Sequence, residues 1–235
     1  SAFSECLGSE LCKIIEENKD VVAVTAGMKD GTGLRKVEET YPENFIDVGI
    51  AEEYAVTLSA GMSAGGIKPV VCLYSTFMQR AYDQILHDVC IPNLPVVFCI
   101  DRAGLIGADG KTHQGVFDLS FLTHMPNMKI LAPSNLSEFK DMLRYALLET
   151  SPVAIRYPAT AEVSEEGYEV FESPKFNLLS KGKDVNILAV GPRTLEIALE
   201  IEKEFSDKVG VINARTIKPL DEEVLLAIKD TTVVT

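Results

Sequence analysis

Phe3, Leu7, Leu11, Ile14 and Ile15 recur at helical spacing near the start of the chain and place one apolar stripe on a helix. The period then changes. Val21 to Thr25 is an apolar run of strand length, and similar short runs follow at Phe45 to Val48, Pro69 to Tyr74, Leu94 to Ile100, Met128 to Leu131 and Pro152 to Arg156. Helical patterns lie between several of them, over Ala51 to Ala64, Thr76 to Val89 and Leu136 to Leu148, with Ser134 or Asn135 placed to cap the last. Strands that are apolar throughout and separated by helices predict an α/β fold with a parallel sheet flanked by helices on both faces.

Residues 159 to 184 break this rhythm, turning rich in Glu, Ser and Lys, as in Ala161-Glu-Val-Ser-Glu-Glu-Gly. A second alternation follows: strand Val185 to Val190, helix Thr194 to Phe205, strand Val209 to Asn213, helix Asp221 to Ile228 and the β-rich run Thr231 to Thr235. The expected organisation is an α/β domain over 1–158, a linker over 159–184 and the first half of a smaller α/β domain over 185–235. The absence of an initial Met and the final β-rich run lead us to expect a processed or engineered start and a strand cut short at the end.

Composition narrows the function classes. Hydrophobic residues make up 46% and charged residues 24% of the 235 residues, the balance of a globular protein, which sets aside disorder and fibrous repeats. The net charge of −13 repels phosphate backbones and anionic lipid, so neither nucleic acid nor membrane is an expected partner. An anionic ligand must then be held by a few placed cations. The five cysteines form no CxxC pair, and Cys72 and Cys99 lie in apolar runs, which suits a reducing cytoplasm. The three histidines are scattered, so no metal site is expected within the chain. No Walker A, G-x-G-x-x-G or G-x-S-x-G motif occurs, which lowers nucleotide binding and serine hydrolysis.

Open parallel sheets bind ligands beyond the carboxyl ends of their strands, and three segments there carry chemistry. Gly49-Ile50-Ala51-Glu52-Glu53-Tyr54 places two acids in the first turn of a helix, where the helix dipole favours them. Adjacent acids cannot share one helix face, so one can be solvated while the other points at the strand ends. Tyr74-Ser-Thr-Phe77-Met-Gln-Arg80 offers two rings and a guanidinium, which suit either a flat ring with an anion or core packing with a surface ion pair. Asp101 to Gly115 holds four glycines together with Arg102, Asp109, Lys111 and His113 and reads as a functional loop. His87 reads as a packed or surface helix residue and His124 as a loop residue.

Asp47-Val-Gly-Ile-Ala-Glu-Glu, Tyr74-Ser-Thr-Phe-Met-Gln-Arg-Ala-Tyr-Asp-Gln, Asp101-Arg-Ala-Gly-Leu-Ile-Gly-Ala-Asp-Gly-Lys-Thr-His-Gln-Gly and Thr216-Ile-Lys-Pro-Leu-Asp, in this order, resemble the 1-deoxy-D-xylulose-5-phosphate synthase family of the transketolase superfamily. The similarity covers essentially the whole chain but only the family's central pyrimidine-binding domain and the first half of its C-terminal domain. The resemblance implies thiamine diphosphate as cofactor. It implies that the Glu52 carboxylate hydrogen-bonds N1′ of the aminopyrimidine, that Phe77 stacks on that ring, and that Ile50 and Arg80 also line the cofactor. Tyr74, Arg102, Asp109 and His113 then bind substrate, with His113 and Asp109 moving protons. The implied reaction condenses pyruvate with glyceraldehyde 3-phosphate with loss of CO2, in a homodimer, supplying isoprenoid, thiamine and pyridoxal precursors. The family's Gly-Asp-Gly segment, which holds Mg2+ and the diphosphate, is not in this chain, so the chain alone is expected to be inactive.

Two positions depart from the family's pattern. Ala159 and Thr160 stand where an arginine that holds the acceptor phosphate and a glycine are usual, and Tyr54 stands where histidine is usual. Losing a charge-assisted phosphate contact costs on the order of 1.5 to 3 kcal/mol, which weakens acceptor binding or changes the acceptor. The competing readings are a split transketolase or 2-oxoacid dehydrogenase β-type subunit, and a non-catalytic module that keeps the fold.

Overall fold

A computed structural model describes residues 1–235. The strands are β1 (Val21–Thr25), β2 (Phe45–Asp47), β3 (Lys68–Tyr74), β4 (Val97–Asp101), β5 (Lys129–Leu131), β6 (Val153–Arg156), β7 (Asn177–Leu178), β8 (Val185–Ala189), β9 (Val209–Asn213), β10 (Thr216–Lys218) and β11 (Thr232–Val234). They form a seven-stranded sheet in the order β10-β5-β6-β4-β3-β1-β2 and a four-stranded sheet in the order β11-β8-β9-β7. Pairing is parallel except for β10 on β5 and β7 on β9.

Both faces of the large sheet are covered, and successive residues of each strand feed opposite cores, as the period of two requires. Val21 and Ala23 join one core with Val70, Cys72, Val97, Cys99, Val153 and Ile155. Val22 and Val24 join the other with Val71, Leu73, Phe98, Ile100 and Ala154. Helices α1 (Ala2–Glu17), α2 (Arg35–Thr40) and α7 (Leu136–Ala146) pack on the first face, while α3 (Glu52–Ala64) and the helical stretch after β3 pack on the second. Phe3, Phe139 and Tyr157 close the first core, with centroids 4.9 to 5.6 Å apart. Each such pair adds about 0.5–1.5 kcal/mol beyond its burial.

Asn135, not Ser134, caps α7: its Oδ1 accepts the Glu138 N–H at 2.8 Å. Ser134 serves the same helix differently, donating its N–H and hydroxyl to Glu138 Oε2 at 2.7 and 2.9 Å.

The helix expected over Thr76 to Val89 is not continuous. It consists of α4 (Ser75–Met78), a 3-10 turn (Gln79–Ala81), α5 (Tyr82–Gln84) and a π-turn (Ile85–Cys90). Met78, Ala81, Ile85 and Val89 are buried throughout, so the apolar stripe keeps helical spacing while the backbone tightens and widens beneath it. Two short strands are also additional. β7 lies within the segment expected to be a linker, where Phe171 and Phe176 are buried. β10 comes from the C-terminal part yet completes the first sheet. The remaining helices are α6 (Asp118–Leu122), α8 (Pro192–Phe205) and α9 (Glu222–Ala227). No helix is long and apolar enough to cross a membrane.

Candidate active site

The carboxyl ends of β1, β2, β3 and β4 point the same way, and the segments that leave them bring most of the candidate residues together. Gly49, with φ +72, turns the chain from β2 into α3. Asp47 secures this corner: its Oδ1 accepts the N–H groups of Gly49 at 2.9 Å and of Gly27, beyond β1, at 2.7 Å. Ile50 is left on the rim, 86% exposed. The two acids then separate. Glu52 is buried and Glu53 is exposed, as their adjacency on one helix demands.

Arg80, on the 3-10 turn after α4, reaches across so that its Nη1 lies 2.8 Å from Glu52 Oε1. Its guanidinium carbon also sits 5.1 Å from the Phe77 ring centroid. Glu52 Oε2 accepts no hydrogen bond within the chain. Phe77 stacks on Tyr74 at 5.8 Å and meets the edge of the His113 ring at 5.2 Å. Of the two readings left open for this segment, the structure shows packed rings with an ion pair, although the carboxylate of that pair is buried and not on the surface.

Arg102 follows β4 in a left-handed conformation, φ +59, which costs a non-glycine residue on the order of 1–3 kcal/mol. Its guanidinium carbon lies 3.7 Å from the Tyr74 ring centroid, and Nη1 donates to the Gly31 carbonyl at 3.2 Å. Asp109 Oδ2 stands 3.7 Å from Nε. Burial raises the Tyr74 hydroxyl above its ordinary range, with the positive Arg102 opposing.

The loop from Leu105 to Gln114 is closed at its base by paired backbone hydrogen bonds between Gly104 and Gly115, at 2.6 and 2.9 Å. A Cβ at Gly115 would lie 2.0 Å from the Arg102 carbonyl oxygen, so this base needs glycine. Inside the loop the Gln114 amide accepts from Ile106 N at 2.7 Å and donates to Ile106 O at 3.0 Å. Thr76 Oγ1 ties the loop to α4 through Thr112 O at 2.8 Å. These contacts set His113 beside Phe77.

Several contributors carried no role in the sequence reading. Asp47 and Gln114 lie within the quoted motifs, but only their hydrogen bonds show that they shape the loops. Gly31 is another: a Cβ there would fall 1.5 Å from the Tyr74 hydroxyl oxygen. Outside this cluster, His87 pairs with Asp83 on the surface and His124 Nε2 lies 2.8 Å from the Tyr82 hydroxyl. A cavity of about 520 Å3, lined by Thr160, Glu162, Arg193 and Leu199 among others, includes none of the candidate residues.

Residues 1–161 match the model of the transketolase pyrimidine-binding domain, and residues 175–235 match that of the transketolase C-terminal domain. The chain belongs to the transketolase pyrimidine-binding domain family. Among curated proteins of this family, 1-deoxy-D-xylulose-5-phosphate synthase of Oleidesulfovibrio alaskensis is 48% identical over 97% of this chain and 36% of its own length. The enzyme of the same name from Clostridium botulinum strain Alaska E43 is 49% identical over 97% of this chain and 38% of its own length. The chain thus spans little more than a third of the length of these relatives. Of solved structures, a split-gene transketolase described as an inactive β4 tetramer superposes with a TM-score of 0.84 at 28% identity, covering 97% of this chain and 77% of that one. Pichia stipitis transketolase superposes at 0.81 with 19% identity, a likeness of fold.

Proposed function

We propose that this chain supplies the aminopyrimidine-binding and proton-handling half of a thiamine-diphosphate site in a 1-deoxy-D-xylulose-5-phosphate synthase, a transferase that condenses pyruvate with glyceraldehyde 3-phosphate and releases CO2. The observation that carries this reading is Glu52: a buried carboxylate at a helix N-terminus, one oxygen paired with Arg80 and the other free of any partner in the chain. This donor set fits an aminopyrimidine, because a carboxylate with a free oxygen beside the Phe77 ring can meet a ring nitrogen edge-on while the ring stacks. Bound there, the cofactor supplies the carbon nucleophile and the electron sink.

The chain's own residues hold and move protons around it. Glu52 holds the proton at N1′, Phe77 and the exposed Ile50 bound the ring, and Arg80 keeps the carboxylate oriented. Arg102, over the Tyr74 ring, presents a guanidinium suited to carboxylate or phosphate oxygens. His113 and Asp109 sit on the closed loop as substrate-orienting groups and proton carriers. Mg2+ and the diphosphate are held by a Gly-Asp-Gly segment outside these residues, and the assembly is a cytoplasmic homodimer. A separate subunit of the split-transketolase kind is the second reading, favoured by the 77% coverage of such a chain.

The test assays the complete protein or complex containing this chain with pyruvate, glyceraldehyde 3-phosphate, thiamine diphosphate and Mg2+. CO2 release coupled to the five-carbon product supports the synthase, whereas ketose-dependent transfer without CO2 supports the transketolase subunit. The isolated chain is expected to form no product.

A further inference from the structure

Arg102 is held in place by groups from two distant parts of the chain and by its immediate neighbour. Tyr74 lies under its guanidinium, Gly31 takes one of its N–H groups, and Asp101 Oδ1 stands 3.3 Å from Nη1. Nη2 has no hydrogen-bond partner in the chain. Asp101 is the unusual member of this set. It has no exposed surface, its Oδ2 accepts the Ser4 hydroxyl at 2.6 Å, and its Oδ1 has no hydrogen bond of good geometry, with Arg102 its nearest cation. The one cation facing it within salt-bridge distance is Arg102.

Such a carboxylate is costly to the fold, despite its tie to Ser4 on α1. Burial pushes its pKa above the ordinary range, and the Ser4 hydroxyl, the charge and backbone N–H of Arg102 and the N-terminal amine only partly offset this. A group whose pKa is higher folded than unfolded contributes most below its unfolded pKa and loses that contribution as pH rises through the folded one. Ionised Asp101 is therefore a burden on stability at neutral pH, where a neutral side chain of the same shape would suit the interior better. Arg102 beside it is in turn strained at φ +59, a conformation that persists because its surroundings hold it.

We infer that Asp101 is the positioning residue of Arg102: from behind the site it fixes the guanidinium over the Tyr74 ring and leaves Nη2 for the anionic oxygens of the substrate. This rests on the proposed reading of Arg102 as a substrate ligand. Ser4 extends the arrangement to α1, so a residue 97 positions away in sequence fixes the far oxygen of Asp101.

Asp101→Asn keeps the shape and removes the charge. In the complete protein or complex we expect it to raise KM for pyruvate or the phosphorylated acceptor about tenfold, with kcat reduced less than threefold. Its thermal midpoint should equal or exceed that of the parent. In the double variant with Arg102→Ala, Asp101→Asn should add nothing to the effect of Arg102→Ala alone, since both remove one contact. A second readout uses the 15N-labelled complete protein or complex without substrate: the Arg102 guanidinium Nη signals, assigned by their loss in Arg102→Ala, should show hindered rotation in the parent and free rotation in Asp101→Asn. Unchanged Arg102 signals, or substrate effects of the two substitutions that multiply, overturn the inference. Failure of the complete protein to turn over any donor counts against the proposed function instead, and the Arg102 signals still decide the role of Asp101.

Discussion

Arg80 and Glu52 form a lopsided pair: Nη1 lies 2.8 Å from Oε1, yet the carboxylate side chain is 3% exposed and the arginine 51%. The arginine can be withdrawn into water, but the carboxylate cannot. Arg80→Met should therefore destabilise the protein by leaving a buried charge unpaired. Because half of the arginine is solvated, the cost is about 1–2 kcal/mol, below the range for fully buried pairs. Thermal unfolding checks this. Adding Glu52→Gln to Arg80→Met should restore most of the loss, because no charge is then stranded.

Gly31 seats the aromatic platform. An alanine there would press its Cβ to within 1.5 Å of the Tyr74 hydroxyl oxygen and 2.6 Å of Cζ, so Tyr74 must move and carry Arg102 with it. Gly31→Ala should lower stability by about 1–3 kcal/mol, the usual cost of overpacking. Substrate KM should rise with it. Tyr74→Phe in the same chain should relieve part of the stability loss, because it removes the closest atom; measured midpoints of the two single variants and the double variant check this.

Acid stability has an assignable source between α1 and α7. Burial pushes Glu10 up, but hydrogen bonds from Arg144 and Lys13 outweigh it, and the carboxyl ends below its ordinary range. Arg144 also pairs with Glu17 at 2.9 Å. A carboxyl lowered by folding contributes stability above its unfolded pKa of about 4.3 and loses it as pH falls through the folded value. The unfolding free energy should thus decline as pH drops below about 4.5, and Arg144→Met should flatten that decline while lowering stability at pH 7. Denaturant titrations between pH 3 and 7 give the comparison.

Ala159 lies two residues beyond Tyr157, whose carbonyl accepts the N–H of Ala103 next to Arg102 at 3.0 Å. Position 159 therefore lies at the same carboxyl end of the sheet as the proposed substrate arginine. Ala159→Arg should lower KM for a phosphorylated acceptor by roughly 10- to 150-fold, the equivalent of 1.5–3 kcal/mol, without a matching change for pyruvate. Steady-state kinetics with each substrate varied in turn measures it.

The central strands were readable because both sheet faces are buried. Val21 through Thr25 show no exposed position, and such a run signals a parallel interior strand whatever surrounds it. β10 and β7 escaped notice for the opposite reason: they are three and two residues long, and only antiparallel partners distant in sequence make them strands. The irregular turns over Gln79–Ala81 and Ile85–Cys90 hide under an apolar stripe that stays at helical spacing. At the site, the division of labour between Glu52 and Glu53 follows from adjacency alone. The contact of Ser4 with Asp101 and the fit of Tyr74 against Gly31 join residues with no local signal linking them, so only folding reveals them.

On the proposed reading, Glu52 governs proton exchange at the cofactor. The direct measurement is the rate of hydrogen–deuterium exchange at C2 of bound thiamine diphosphate, by quenched-flow NMR, in the complete protein or complex and in its Glu52→Gln variant. The variant should still bind the cofactor but exchange at least about a hundredfold more slowly. Equal exchange rates in the two proteins, with the cofactor bound in both, would contradict it.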